Sequence, residues 1–315
     1  MESAVKFRGS WLSLDEARAA FSEGTGRGVR IAVLDSGIEV NHPRLQGLRL
    51  ADDWYIVSSE VKLEAKSGDG TDVFGHGTAV ADIIRQIAPE AKIGSFRVLG
   101  EQLNSRTAII REGVRQAIDR GYHILNCSFG CGVKEHVLQY KDWIDEAYLK
   151  GIHIVAACNN IDFTIPEWPG YFPTVITVNM AKGGAGDRLY YRLGNLVEFA
   201  ACGVNVSAAW RNRETREVTG SSFATPRVAA FLAKVLSVVD GLHPLEAKTL
   251  MIRLADKWTQ EIRASNVACS DCQGRPICSD KYAPSRRDLC AAVEPSPWSE
   301  AGFRKPRTVA VSDRP

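Results

Sequence analysis

Five short runs dominated by Ile, Val and Ala, at 29–34, 92–98, 122–127, 152–157 and 174–179, are separated by longer stretches of helical period. Runs of this kind lack the in-and-out alternation of a half-solvated strand, so their side chains are expected to be buried on both faces. Parallel strands cannot be joined by a tight turn; each needs a crossover of a dozen or more residues, usually a helix. The expected fold class is therefore α/β, a doubly wound parallel sheet covered on both faces. Helices are expected at 76–87, 107–120, 135–149, 222–239 and about 244–257. In the second of these, Ile110, Val114, Ala117 and Ile118 share the stripe that would lie on the sheet. Residues 46–72 read as a long polar connection with room for a short hairpin or a lid.

After about Arg263 the pattern stops, and Ser, Pro, Cys and charged residues take over. The chain thus divides into a folded domain, 1–262, and a short cysteine-containing carboxyl-terminal extension, 263–315, that is a separate unit or disordered. With 45% hydrophobic and 24% charged residues, the chain has the composition of an ordinary globular protein. A net charge of +2 with interspersed signs gives no field suited to nucleic acid or a membrane surface, and the basic cluster Arg304 to Arg307 is too short to change that. The amino-terminal sequence lacks the apolar core of a secretory signal, and no run is long enough to span a bilayer. With Met1 as the natural start, a cytoplasmic location is expected. Eight cysteines in a reducing compartment argue against a disulfide framework.

Three residues carry reactive chemistry. Asp35 ends the apolar run IAVLD, at the carboxyl end of a strand, where an open α/β sheet places its ligand crevice. His76 lies in GHGT and Ser222 in GSSFATP, each at an expected helix start. Alone, each has an ordinary structural reading: Asp35 as a buried cap, His76 as a satisfied core histidine, Ser222 as an N-cap. Asp, His and Ser in that order, each with flanking glycines, is far more restrictive. The other histidines, 42, 123, 136, 153 and 243, lack such a setting and read as structural or surface residues.

DSG, GHGT and GSSFATP resemble the three active-site motifs of the subtilisin-like serine proteases, the subtilases, and the likeness extends from about Gly28 to Val239. The resemblance implies a fold of the subtilisin type and a serine endopeptidase acting on a peptide or protein substrate, with no cofactor required for catalysis. It assigns His76 as the base that takes the proton of Ser222 and Asp35 as the group that orients the imidazole. NCSFG at 126–130 is similar to the family's substrate-binding strand, which carries substrate contacts over to Ser128, Phe129 and Gly130. AACNN at 156–160 resembles the strand end with the oxyanion-hole Asn, here Asn159. WPGYFPTVITV at 168–178 resembles the wall of the primary specificity pocket, and Glu167 falls near its floor, where relatives often have Gly. A carboxylate there is costly unless a cation reaches it, so a substrate Arg or Lys is expected, with Asp162 reinforcing the charge; the other reading turns Glu167 out to solvent. Two rivals use the same residues: acyl transfer or cyclisation of peptides, which would need the 46–72 connection to exclude water, and a catalytically silent binding module.

The chain also departs from the family. Ser221 and Phe223 stand where Thr and Met are usual, and Cys158 and Cys202 replace a common Gly and Pro. Cys127, Cys131, Cys158 and Cys202 read as small buried hydrophobes. No insertion interrupts HGTAVADIIRQIAPEAKI, and Arg44 stands where a carboxylate ligand is common, so calcium is not expected. The stretch before Asp35 is too short for an inhibitory propeptide, which points to restraint by narrow specificity or a regulatory partner, and to processing of a specific precursor. In the extension, Cys269, Cys272, Cys278 and Cys290 are spaced C-x2-C-x5-C-x11-C. A structural zinc, free thiols or facultative disulfides, and an iron-sulfur cluster are all open readings of that spacing.

Overall fold

The computed structural model of the protein describes residues 7–8, 13–58, 62–182 and 188–259. The boundary read at 262/263, the extension and its four cysteines lie outside the described residues. The described chain begins with β1 (Phe7–Arg8), α1 (Leu14–Glu23), β2 (Arg30–Asp35), β3 (Asp53–Ser58) and β4 (Leu63–Ser67). It continues as helix and strand in turn: α2 (His76–Ile87), β5 (Lys92–Arg97), α3 (Thr107–Asp119), β6 (Ile124–Cys127), α4 (Val137–Leu149), β7 (His153–Ala157) and β8 (Ile176–Ala181). Four strands follow, β9 (Leu189–Tyr191), β10 (Phe199–Cys202), β11 (Val206–Trp210) and β12 (Glu214–Val218). Last come α5 (Ser221–Val238), β13 (Val239–Asp240), α6 (Pro244–Leu254) and β14 (Asp256–Lys257).

Ten strands form one sheet in the order β14, β9, β10, β8, β7, β6, β2, β5, β3, β4. The central pairings are parallel, and antiparallel pairs occur only where β4 joins β3 and β9 joins β10. The 46–72 connection therefore holds a hairpin that extends the sheet, with Trp54 opposite Ser67 and Ser58 opposite Leu63. Along β2, Ile31 and Val33 enter one apolar cluster with α2 and α5, while Ala32 and Leu34 enter the other with α3 and α4. That two-residue period, buried on both faces, is what the unbroken apolar run RIAVLD encodes. Each fully buried Ile, Val or Leu of this kind contributes on the order of 1.5–3 kcal/mol relative to exposure.

From β2 the chain crosses to β5 on one side, and then through α3 to β6 on the other side of β2. The carboxyl ends of β2 and β6 thus flank the switch point where a doubly wound sheet opens a crevice. α2 and α5 both begin at that end of the sheet, inside GHGT and GSSFATP, with Gly75 and Gly220 as their N-caps. Among the described residues, no helix is long and apolar enough to cross a membrane.

His153 opens β7 and is buried, its imidazole bonded to the Leu242 backbone and its Nδ1 without a protein partner among the described residues. Burial first, then the nearby His123 and His243, push its pKa down from 6.5 to about 4. The unfolded chain binds this proton below about 6.5 and the folded chain does not until about 4, so its contribution is complete above 6.5 and is lost as pH falls between those values. About 3 kcal/mol of acid-dependent destabilisation is expected from this group. Chemical denaturation between pH 7 and 4 checks it: His153→Leu should show a shallower loss of stability than the natural chain, and parallel curves would refute the assignment.

Candidate active site

Asp35 is the last residue of β2 and fully buried; His76 is the first residue of α2. The imidazole Nδ1 lies 2.9 Å from each Asp35 carboxylate oxygen. A carboxylate only accepts, so Nδ1 carries the proton and Nε2, on the ring edge away from Asp35, is left as the basic nitrogen. Asp35 Oδ1 also accepts the Ser36 N–H at 2.8 Å, which fixes the carboxylate's orientation.

The glycines around His76 answer to close approach. Gly75 has φ +115°, and a Cβ there would come within 2.6 Å of the Trp210 ring; at Gly77 a Cβ would meet the Gly37 carbonyl at 2.1 Å. α2 can therefore start between Trp210 of β11 and the turn after β2 only with these two residues bare. Asp72, which the motif reading passed over, fastens the same helix start. Its Oδ1 accepts from Ser36 Oγ and from the Phe74 and Gly75 N–H groups, and its Oδ2 accepts the Thr78 N–H and hydroxyl, all at 2.6–2.9 Å. The orphan donors of the first turn are thus met by a carboxylate, which the helix dipole also favours. A carboxylate four residues before a histidine at a helix start was the available signal.

Ser222 lies in the first turn of α5, six per cent exposed, and its Oγ donates to the Ser128 carbonyl at 3.1 Å. In return Ser128 Oγ donates to the Ser222 carbonyl at 2.9 Å. That carbonyl needs an outside donor because Pro226, four residues on, has no N–H to give it. Ser221 is tied on both ends, its N–H to Asn160 Oδ1 at 2.7 Å and its hydroxyl to the Cys158 carbonyl at 2.7 Å. The serine in place of threonine thus uses its hydroxyl. Phe223, in place of methionine, is fully buried with its ring centroid 5.1 Å from that of His76. The ends of β2, β6 and β7 and the starts of α2 and α5 therefore meet at one place.

Asn159 follows β7. Its Oδ1 accepts the Ile161 and Asp162 N–H groups at 2.8 and 2.9 Å, and its Nδ2 donates to Glu167 Oε1 at 2.8 Å. The two backbone bonds fix which end of the amide is oxygen, so the donor end is the one aimed at Glu167. Glu167 is half-buried and turned inward: its Oε2 lies so near Gly130 that a Cβ there would come within 2.5 Å of it. The segment carrying it is pinned to the 128–131 segment by Cys131 and Trp168, which exchange backbone bonds of 2.8 and 2.9 Å. Asp162, by contrast, is exposed and its Oδ1 accepts from Thr164, so it caps its own loop.

Cys127, Cys131 and Cys158 are buried and Cys202 is partly so, and none of the four forms a disulfide among the described residues. Burial, with Asp35 beside Cys127 and Glu167 beside Cys158, raises both thiols far above their ordinary range, which keeps them protonated. Arg44 is not a bystander: its Nε bonds Asp82 on α2 at 2.8 Å and its terminal nitrogens reach Ser207.

A model of the subtilase family matches residues 26–275. The chain is 29% identical over 217 residues to thermitase from Thermoactinomyces vulgaris, covering 68% of this chain and 77% of that protein. It is also 29% identical over 227 residues to subtilisin BL from Lederbergia lenta, covering 71% and 82%. The crystal structure of a cold-adapted subtilisin-like serine proteinase superposes with a TM-score of 0.60 at 26% identity, over 73% of this chain and 83% of that one. The chain belongs to the subtilase family and is a subtilisin-like serine endopeptidase.

Proposed function

We propose that this endopeptidase cuts on the carboxyl side of a basic residue, through an acyl-enzyme formed on Ser222. His76 takes the Ser222 proton as the hydroxyl attacks and returns it to the leaving amine, and Asp35 holds the ring and stabilises the imidazolium. The Asn159 amide and the Ser222 backbone N–H, at the positive end of α5, serve the oxyanion. Ser128, Phe129 and Gly130 flank the substrate strand. A cavity of about 420 Å³ lined in part by Tyr55, Val73, Leu99 and Asn104 lies beside the end of β2, where more of an extended peptide would lie. No cofactor enters any step.

The observation that carries the specificity is the inward Glu167, set between Gly130 and Asn159. It fills the space a large apolar side chain would need, and its charge suits a guanidinium, which bonds a carboxylate through two parallel N–H groups. Narrow specificity of this sort suits processing of a particular precursor. Hydrolysis is favoured over acyl transfer because the 53–58 and 63–67 segments, which a water-excluding cover would have to use, are paired into the sheet edge. A fluorogenic peptide series varied only at the residue before the scissile bond is the test. The natural chain should prefer Arg over Leu by about 100-fold in kcat/KM, and Glu167→Gln should remove most of that preference. A preference for Phe or Leu, or an Arg preference untouched by Glu167→Gln, would rule the assignment out.

A further inference from the structure

Glu167 can do more than supply the charge proposed for specificity, because the group it accepts from is Asn159. The Asn159 amide is immobile at its oxygen end, where Ile161 and Asp162 donate to it, and its nitrogen end is 2.8 Å from Glu167 Oε1. The Glu167 backbone is equally fixed, its carbonyl accepting from Tyr171 at 2.8 Å and its neighbour Trp168 bonded to Cys131. Carboxylate and amide are thus held together by two separately anchored segments. An anion bonded to the oxyanion donor works against the reaction in two ways. It holds one of the two N–H groups of Nδ2 and so fixes where the other points, and it places a negative charge beside the spot where another must develop.

We infer that Glu167 couples recognition of a cationic substrate side chain to assembly of the oxyanion hole. With the pocket empty or holding a neutral side chain, the carboxylate keeps the Asn159 amide. A guanidinium or ammonium entering the pocket takes over the carboxylate, cancels its charge and releases the amide to the oxyanion. Selectivity is then expressed in turnover, not merely in binding, because the correct side chain completes a group that acts in the transition state. This rests on the roles proposed above for Asn159 and Glu167, and it deepens them: the specificity residue is also a brake on cleavage of the wrong bonds.

The test uses the full chain, the Glu167→Ala, Glu167→Gln and Asn159→Ala variants, and the Glu167→Ala/Asn159→Ala double variant. Each is given peptides with Arg, its neutral isostere citrulline, or Leu before the scissile bond. Each is also given a simple alkyl fluorophosphonate, which has no side chain for the pocket yet places an oxygen in the oxyanion hole. In the natural chain, Arg should exceed citrulline mainly in kcat, by about tenfold or more, with KM moving less. Glu167→Ala should raise kcat on the citrulline and Leu peptides and speed fluorophosphonate labelling, each by about three- to tenfold, and Glu167→Gln should do so in part. In the Asn159→Ala background, removing Glu167 should speed labelling distinctly less, since only the relief of its charge remains and the amide it restrained is gone. If Glu167→Ala alters only KM, or speeds labelling equally with and without Asn159, the coupling is refuted while the cleavage specificity can still stand. If the natural chain, folded by its melting transition, is not labelled at all, the proposed function falls and the coupling with it.

Discussion

Ser222→Ala is expected to lower turnover on the order of a million-fold, a magnitude carried over from subtilisin, and to abolish fluorophosphonate labelling while leaving the melting temperature within a few degrees. The chemical part follows from covalent catalysis: with no oxygen at that position no acyl-enzyme forms, and His76 and Asp35 have nothing to activate. The structural part follows from what the side chain holds. Among the described residues its hydroxyl makes one bond, to the Ser128 carbonyl, whereas the reciprocal bond from Ser128 reaches the Ser222 backbone carbonyl and survives the substitution. Ala is also a better helix former than Ser, and the first turn of α5 stays anchored through Ser221. Near-normal stability beside absent activity therefore separates a lost nucleophile from a lost fold. Residual activity in a clean preparation would remove Ser222 from the mechanism, and a large fall in melting temperature would make the loss uninterpretable as chemistry and overturn the structural half of the argument.

How far such outcomes are foreseeable from the sequence varies with the range over which each feature is decided. The helix expected at 76–87 is α2 to the residue, because its start is marked by glycines and its face by a clear apolar stripe. The expected end of the second helix, 120, and the observed one, Asp119, differ only by the fraying common at helix termini. The last helix ends at Leu254, about three residues short of the expected 257, since Ala255 is already extended and Asp256–Lys257 pair with β9. α1 carries no long apolar run, and its one sequence signal is local, the reciprocal capping box of Ser13 and Glu16. β12 is hidden for a different reason. Four of its five residues, Glu214 to Glu217, are exposed, so neither composition nor alternation distinguishes them from a loop, and only pairing with β11 makes them a strand.

At the site, Asp35, His76, Ser222 and Asn159 stand out in the sequence because each sits in a short motif whose spacing is set by local backbone geometry. Glu167 was placed near the pocket by likeness to a wall segment, yet its inward orientation was not decidable from the sequence. That orientation depends on the pairing of Trp168 with Cys131, residues 37 apart whose register no local pattern announces. Asp72 and Asn160 were passed over because their work is to satisfy backbone N–H groups at α2 and α5, and that need appears only when the two helix starts are set against the sheet. Asp162 was drawn into the pocket by proximity in sequence and belongs instead to its own turn.

Asn159→Ala is expected to reduce kcat by roughly 100- to 1000-fold, the range known for the corresponding change in subtilisin, with KM changing only a few-fold. An oxyanion donor is used when the carbonyl oxygen becomes tetrahedral and charged, so its loss raises the barrier without weakening ground-state binding. In this chain the side chain also has local work, since its oxygen accepts from Ile161 and Asp162, and that must be separated from the chemistry. Two backbone bonds at an exposed turn contribute about 1 kcal/mol each at most, enough to lower the melting temperature by a few degrees but far too little to unfold the site. Asn159→Asp supplies the control. It keeps an oxygen for the two backbone donors, but it replaces the amide donor with an anion facing Glu167, so repulsion should limit the recovery of stability to a part, and its turnover should be no better than that of Asn159→Ala. Recovery of both stability and turnover in Asn159→Asp would show that the turn, not the donor, is what the reaction needs. An Asn159→Ala defect confined to KM would place the oxyanion hole elsewhere, whereas a kcat loss common to both variants, out of proportion to the stability each retains, ties the Asn159 amide to the transition state.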